Sequence, residues 1–151
     1  MASNSRREQL LAKVKTTLEG ISGLTDVVRK PLTSITELRA FSSQQLPIAV
    51  VVGGLPVPEE KFSQRTRKLD LVQSTLSVNI IVYALDNVTP DTTISSLADD
   101  VWATFYTDIT LGFEWVLGLK INPEMRTSIN DPYIAFAMEL EIMYLHGKGG
   151  I

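Results

Sequence analysis

The chain has no cysteine and a single histidine, His146. Without cysteine there is no disulfide framework and no thiolate metal site. With one histidine, any Ser-His-Asp or His-metal centre would have to be built around that residue, close to the C-terminus. Long apolar runs are also missing: stretches such as Ile48 to Val52 are far too short to span a bilayer. The residues after Met1 include no apolar stretch of signal-peptide kind, so synthesis in the cytosol is expected. No phosphate-loop, zinc or calcium pattern is present. Gly53-Gly54 follows an apolar run, but no Gly-Lys-Ser/Thr comes after it, and the pair reads as a turn or bulge. Aromatic residues make up 7% of the chain, and those on strand-like segments have neutral or acidic neighbours, unlike the basic-aromatic interleaving of RNA-binding sheets.

What is present fits one soluble domain over residues 1–151. The composition is 44% apolar and 21% charged, ordinary for a globular protein. The net charge of −3 conceals an asymmetry. Residues 1–68 hold 11 of the 14 cations and 6 of the 17 acids, a sum of +5; residues 69–151 hold 3 cations and 11 acids, a sum of −8. Solvated faces account for such a split, as does a basic surface on one copy meeting an acidic surface on the next.

The organising stretch is Leu69 to Leu85. Leu76, Val78, Ile80, Val82 and Ala84 alternate with Ser77, Asn79, Ile81 and Tyr83, the period of a half-buried strand. Leu69 and Leu71 sit on the opposite phase, so a bulge or a change of packing environment is expected between Val72 and Thr75. The strand is long for a small domain, and part of it is expected to project.

The remaining elements arrange around it. Ser3 to Glu19 reads as an amphipathic helix with Leu10, Leu11, Val14 and Leu18 on one stripe and a Ser5–Glu8 capping box. Arg6, Arg7, Lys13 and Lys15 lie off the stripe, either as a solvated face or as a surface for an acidic partner. A short strand covers Thr25 to Lys30, a helical turn is expected between Ser34 and Phe41, and an apolar strand covers Pro47 to Val52. Leu55 to Lys68 reads as the tip of an extended hairpin arm, with Phe62 as an apolar anchor among Arg65, Arg67 and Lys68. A second helix spans Thr92 to Tyr106 on Ile94, Leu97, Val101 and Phe105, with Ala98 and Trp102 beside them. A strand at Glu114 to Ile121 places Trp115, Leu117, Leu119 and Ile121 on one face. The last strand, Tyr133 to Leu145, alternates through Ile134, Phe136, Met138, Leu140, Ile142 and Tyr144, and His146 onward reads as a frayed tail with a surface histidine. The sum is an α+β domain: a mainly antiparallel sheet with a projecting long hairpin and two helices packed on one face. Glu139 and Glu141 project together from the last strand. Two carboxylates can run acid-base chemistry in a cleft, but a solvated strand face is the simpler reading.

This layout resembles the tail terminator (tail completion, or minor tail) proteins of long-tailed phages with non-contractile tails. The likeness rests on the basic helix ending in Gly20, the Val27-Val28 strand and Leu46-Pro47-Ile-Ala-Val. It rests also on the helix ending at Phe105-Tyr106-Thr-Asp-Ile-Thr-Leu-Gly112 and the final run Tyr133 to Tyr144. The resemblance implies a structural virion protein that forms a hexameric ring and caps the tail tube when it reaches full length. It then presents the docking surface for the head's neck, in virions assembled in the bacterial cytoplasm. The implied partners are copies of itself, the tube protein and a neck or connector protein. DNA passes through the ring without specific binding. No catalytic residue, metal, cofactor or membrane contact is implied. On this reading Phe62, Arg65, Arg67, Lys68 and Tyr83 are candidate partner or subunit contacts, and Glu139 and Glu141 face the lumen or a subunit boundary. Two alternatives compete: a head-tail connector ring of the neck, and a small enzyme using Glu139, Glu141 and Asp108.

Overall fold

In the computed structural model the described residues are 5–29, 47–58, 71–85, 90–124 and 133–147. Helix α1 is Arg6–Glu19, followed by strand β1 (Asp26–Val28), β2 (Ile48–Gly53), β3 (Val57–Pro58) and β4 (Leu71–Leu85). Helix α2 (Pro90–Thr107), β5 (Val116–Glu124) and β6 (Tyr133–Gly147) complete the order. The strands form one sheet in the order β1-β2-β4-β6-β5, with β3 beside β4. Only the β1–β2 pair is parallel among the described strands; the others are antiparallel. This is the expected α+β architecture. The expected turn at Ser34 to Phe41 lies outside the described residues.

The spine is β4 against β6. They pair without a break from Leu71↔Gly147 to Leu85↔Tyr133. Both strands alternate, so one face gathers Leu76, Val78, Ile80, Val82, Phe136, Met138, Leu140, Ile142 and Tyr144 into the core. Ala49 and Val51 of β2 and Val27 of β1 extend that face sideways through their register with β4. Both helices pack here. α1 lies over β1 and β2, α2 over β6, and the two helices touch each other. Ser5 opens α1 by accepting the Glu8 amide at 3.2 Å, and Leu10, Leu11, Val14 and Leu18 are buried. Each such side chain contributes roughly 1.5–3 kcal/mol on burial. From α2, Ile94, Leu97, Ala98, Val101 and Phe105 enter the same core. The opposite face of the sheet also holds Ile48, Val50 and Ala135 buried.

Three local readings are corrected. The phase break near Val72 to Thr75 is not a bulge in β4, whose register with β6 runs straight through. Ser74 occupies a core position and is buried with His146, its Oγ 2.7 Å from Nε2. Ser74 thus continues the core phase of Leu76 and Val78, while Leu69 lies outside the described residues. The irregularity is on the neighbouring edge: between Gly53↔Val78 and Val57↔Thr75, the β2–β3 side advances four residues while β4 advances three. Gly53 sits at this bulge because a Cβ there would lie 2.6 Å from Leu11 Cδ2, so the residue that opens the bulge also lets α1 press onto the edge.

The second correction concerns β5. Its register shifts between Val116 and Gly118, opposite Tyr144 and Met143. Leu117 is the extra residue and points to solvent, while Val116, Leu119 and Ile121 point inward. Trp115, Leu117, Leu119 and Ile121 therefore do not share one face. Third, the last strand does not fray at His146. It continues to Gly147, and His146 is 6% exposed. Between α2 and β5, Leu111 takes a left-handed backbone (φ 54) just before Gly112 (φ 78). For leucine that costs about 1–3 kcal/mol, and burying its side chain in the core offsets it.

Candidate assembly surface

The sequence-predicted contact residues fall into two groups. Phe62, Arg65, Arg67 and Lys68 lie outside the described residues; of the expected tip, Leu55 to Lys68, residues 55–58 are described, with Val57 and Pro58 paired to Thr75 and Ser74. Within the described residues this hairpin is part of the sheet, since β6 backs β4 to its first residue. Tyr83, Glu139 and Glu141 share the face of the sheet turned away from the helices.

The β-register orders that face into rows. At one end Tyr83 lies between Ile48 and Ala135, and Ile81 lies between Val50 and Ala137. Burial in this apolar setting raises the Tyr83 phenol above its ordinary value. Further along, Asn79 lies opposite Glu139, and Asn122 of β5 donates to Glu139 Oε1 at 3.2 Å. One row on, Glu141 lies between Ser77 and Lys120. The face is thus apolar around Tyr83 and polar around the glutamates, with Glu139 about 13 Å and Glu141 about 20 Å along from the Tyr83 row at roughly 3.3 Å per residue. Tyr83 and the glutamates share a face but do not meet. Each glutamate has a polar or cationic neighbour from β5.

The outer edge of β5 is a poor template for strand addition. It carries the Leu117 bulge, an exposed Lys120, and Pro123, which has no amide hydrogen to offer. Exposed edge strands as a joining device are therefore not favoured at β5.

The basic residues of α1 are not a uniform solvated face. The Arg6 guanidinium donates to the Leu145 carbonyl and lies 4.9 Å from the Trp115 ring centroid. Arg7 donates to Gly54 O at 2.9 Å and Gly53 O at 3.3 Å. Both arginines fasten the start of α1 to the sheet, one to the end of β6 and the other to the β2–β3 bulge. Glu8 does not close the capping box with its side chain. It pairs with Arg29 through both oxygens.

Trp115 continues inward as a ring stack. Phe113 lies 4.5 Å from it and Tyr144 5.9 Å, and Tyr144 lies 5.4 Å from His146. Burial pushes the Tyr144 phenol up to about 12, with Arg7 pulling weakly the other way. Behind this stack is the Ser74–His146 pair. Nδ1 of the histidine faces the Gly147 carbonyl at 2.8 Å, which can only accept, so Nδ1 donates there, and Nε2 meets the Ser74 hydroxyl. The pair has the spacing of a serine-histidine dyad. Ser74, however, is 1% exposed, and a carbonyl stands where a triad would place a carboxylate. The geometry ties β4 to the end of β6 and leaves the hydroxyl out of reach of a substrate. Among the described residues no group of three or more His, Asp or Glu is arranged to hold a metal. Asp108, the third carboxylate of the enzyme alternative, follows α2 on the helical layer, apart from Glu139 and Glu141.

Sequence reading missed one further surface. Trp102 was placed beside the core stripe of α2, but it is 38% exposed, and Tyr106 and Ile109 are exposed with it. Trp102 and Tyr106 pack ring to ring at 5.2 Å. The signal was available: Asp99, Trp102, Ala103 and Tyr106 are spaced i, i+3, i+4 and i+7, a second stripe opposite the buried one.

Among the described residues no helix is long and apolar enough to cross a membrane. No protein-family model matches this chain, and no curated protein matches it in sequence.

Proposed function

We propose that the chain is a structural subunit that assembles with copies of itself into a ring, caps a phage tail tube, ends its polymerisation and offers the docking surface for the neck. The reading rests on the likeness to tail terminator proteins in element order. The observation that best supports it is the unbroken fifteen-residue pairing of β4 with β6. Helices cover one face of this stiff spine; the other is buried at its apolar end, around Ile48 and Val50, and reaches solvent at Asn79 and the partly exposed Glu139 and Glu141. A subunit built this way has two chemically different sides to offer its neighbours, which a ring of heterologous contacts requires. Glu139 and Glu141 face the lumen or a subunit boundary, where negative charge repels phosphates and lets DNA slide.

Mixing the purified protein with a polymerising tail tube protein tests the reading, with tube lengths measured by electron microscopy. Capped tubes of restricted length, ending in a ring-shaped density, are the expected result. Tubes that grow unchecked beside solitary protein particles overturn it. Binding to a portal or adaptor ring without any effect on tubes assigns the chain to the neck instead.

A further inference from the structure

The outward stripe of α2 has no role in the core, and its chemistry is one-sided. Residues 90–119 contain five carboxylates and no lysine, arginine or histidine. Within that stretch Trp102, Tyr106 and Ile109 are exposed, and Asp99, Asp100 and Asp108 are exposed as well. None of these three aspartates forms an ion pair among the described residues. An apolar centre rimmed by charge of one sign is the anatomy of a docking site for a cationic partner with an apolar anchor. The aromatic pair also suits a guanidinium, which stacks on ring faces.

The chain carries a segment of that description. Residues 61–68, Lys-Phe-Ser-Gln-Arg-Thr-Arg-Lys, hold four cations, no acid and one aromatic residue, Phe62. We infer that the acidic aromatic stripe of α2 receives residues 61–68 of a second copy of this chain. Phe62 packs against Trp102 and Tyr106, and the cations meet the aspartates. The donor segment and the receiving stripe are different surfaces, so the contact is heterologous. It can repeat from copy to copy until a ring closes. The inference rests on the ring reading and deepens it by naming the two surfaces joined.

The natural absence of cysteine allows a direct test. Ala103→Cys on the exposed stripe is combined with Gln64→Cys in the full chain, and the protein is oxidised mildly. A control combines Gln64→Cys with Asn79→Cys, exposed on the opposite face of the sheet. The expected result is a ladder of dimers and larger species from the first variant only. In the same background D99K/D100K/D108K lowers the ladder about tenfold, through like-charge contact. Equimolar mixing of that triple variant with a chain carrying Gln64→Cys, Ala103→Cys and R65E/R67E/K68E restores it, because each mutant surface then meets its complement. A cross-link confined to single chains shows that the segment covers its own stripe and overturns the inference. So does a ladder no stronger than the control. Capped tubes without the ladder remove the inference and leave the ring reading standing. A ladder without any effect on tubes does the reverse.

Discussion

The two helices share one layer and one core, yet they treat solvent in opposite ways. α1 has a charged exterior, and much of that charge turns inward as fastenings: Arg6 to the Leu145 carbonyl and Trp115, Arg7 to the β2–β3 bulge, Glu8 to Arg29. α2 has exposed rings, Trp102 and Tyr106, which pack against each other. The charged helix, whose cations read in sequence as a solvated face or a surface for an acidic partner, uses Arg6 and Arg7 to hold the fold. The aromatic helix, which looks like core, leaves an unused surface. Exposed charge is a weak sign of a partner because folding itself uses it. An exposed aromatic pair with no place in the core is a stronger sign.

The comparison holds that the buried stripes are equivalent and only the outer faces differ. The largest effects should therefore be shared. Phe105→Ala in α2 and Leu10→Ala in α1 each remove a side chain that is 0% exposed. Losses of about 3–5 and 2–5 kcal/mol are expected from denaturant unfolding. A loss below 1 kcal/mol in either helix would break the equivalence. A smaller effect is specific to α1. Gly53→Ala puts a methyl carbon 2.6 Å from Leu11 Cδ2. The side chain must shift, and about 1–3 kcal/mol is the expected cost. The same substitution paired with Leu11→Ala should recover part of that loss.

The outer faces should then separate. Arg6→Ala loses a charged hydrogen bond and a ring contact, about 1–2 kcal/mol of stability. Trp102→Ser loses one exposed ring pair, about 0.5–1 kcal/mol, but it should abolish self-association at concentrations where the parent assembles. Sedimentation velocity and thermal unfolding of both variants give the cross-over. If Arg6→Ala impairs assembly without lowering the melting temperature, the assignment of the two faces is reversed.

Much of the fold was legible because the core residues of β4, β6, α1 and α2 follow their periods closely. Leu10, Leu11, Val14 and Leu18, and the even-numbered residues of β6, needed no tertiary knowledge. Misreadings arose where a tertiary partner satisfied an exception. Ser74 hid the core phase of β4 ahead of Leu76 because its partner, His146, is 72 residues away. Leu117 looked inward because a bulge that shifts register by one residue leaves little trace in composition. Arg6 and Arg7 looked solvated because their acceptors are backbone carbonyls, which carry no sequence signature. On the candidate surface, parity alone put Glu139 and Glu141 together, and that Tyr83 shares their face follows only from the pairing of β4 with β6. Their separation along it required the β4–β6 register.

The smallest expected effect is the pH response of the α1 fastening. The hydrogen bond from Arg29 holds the Glu8 carboxyl below its ordinary value of 4.5, more strongly than its limited burial raises it. A carboxyl whose folded value is depressed binds its proton more readily in the unfolded chain. Its contribution is therefore complete above that ordinary value and disappears as pH falls through the lower folded value. Both partners are about one-third exposed, at 34% and 33%, so solvent screening limits the contribution to about 0.5 kcal/mol. Glu8→Gln should lower stability by that amount at pH 7 and by nothing measurable once the parent's carboxyl is protonated. The two unfolding curves should converge on the acid side, and added salt should narrow the gap at neutral pH. A gap that persisted in acid would mean that Glu8 acts through packing at the α1 terminus. The charge of α1 would then contribute less to its fastening than the contrast with α2 requires.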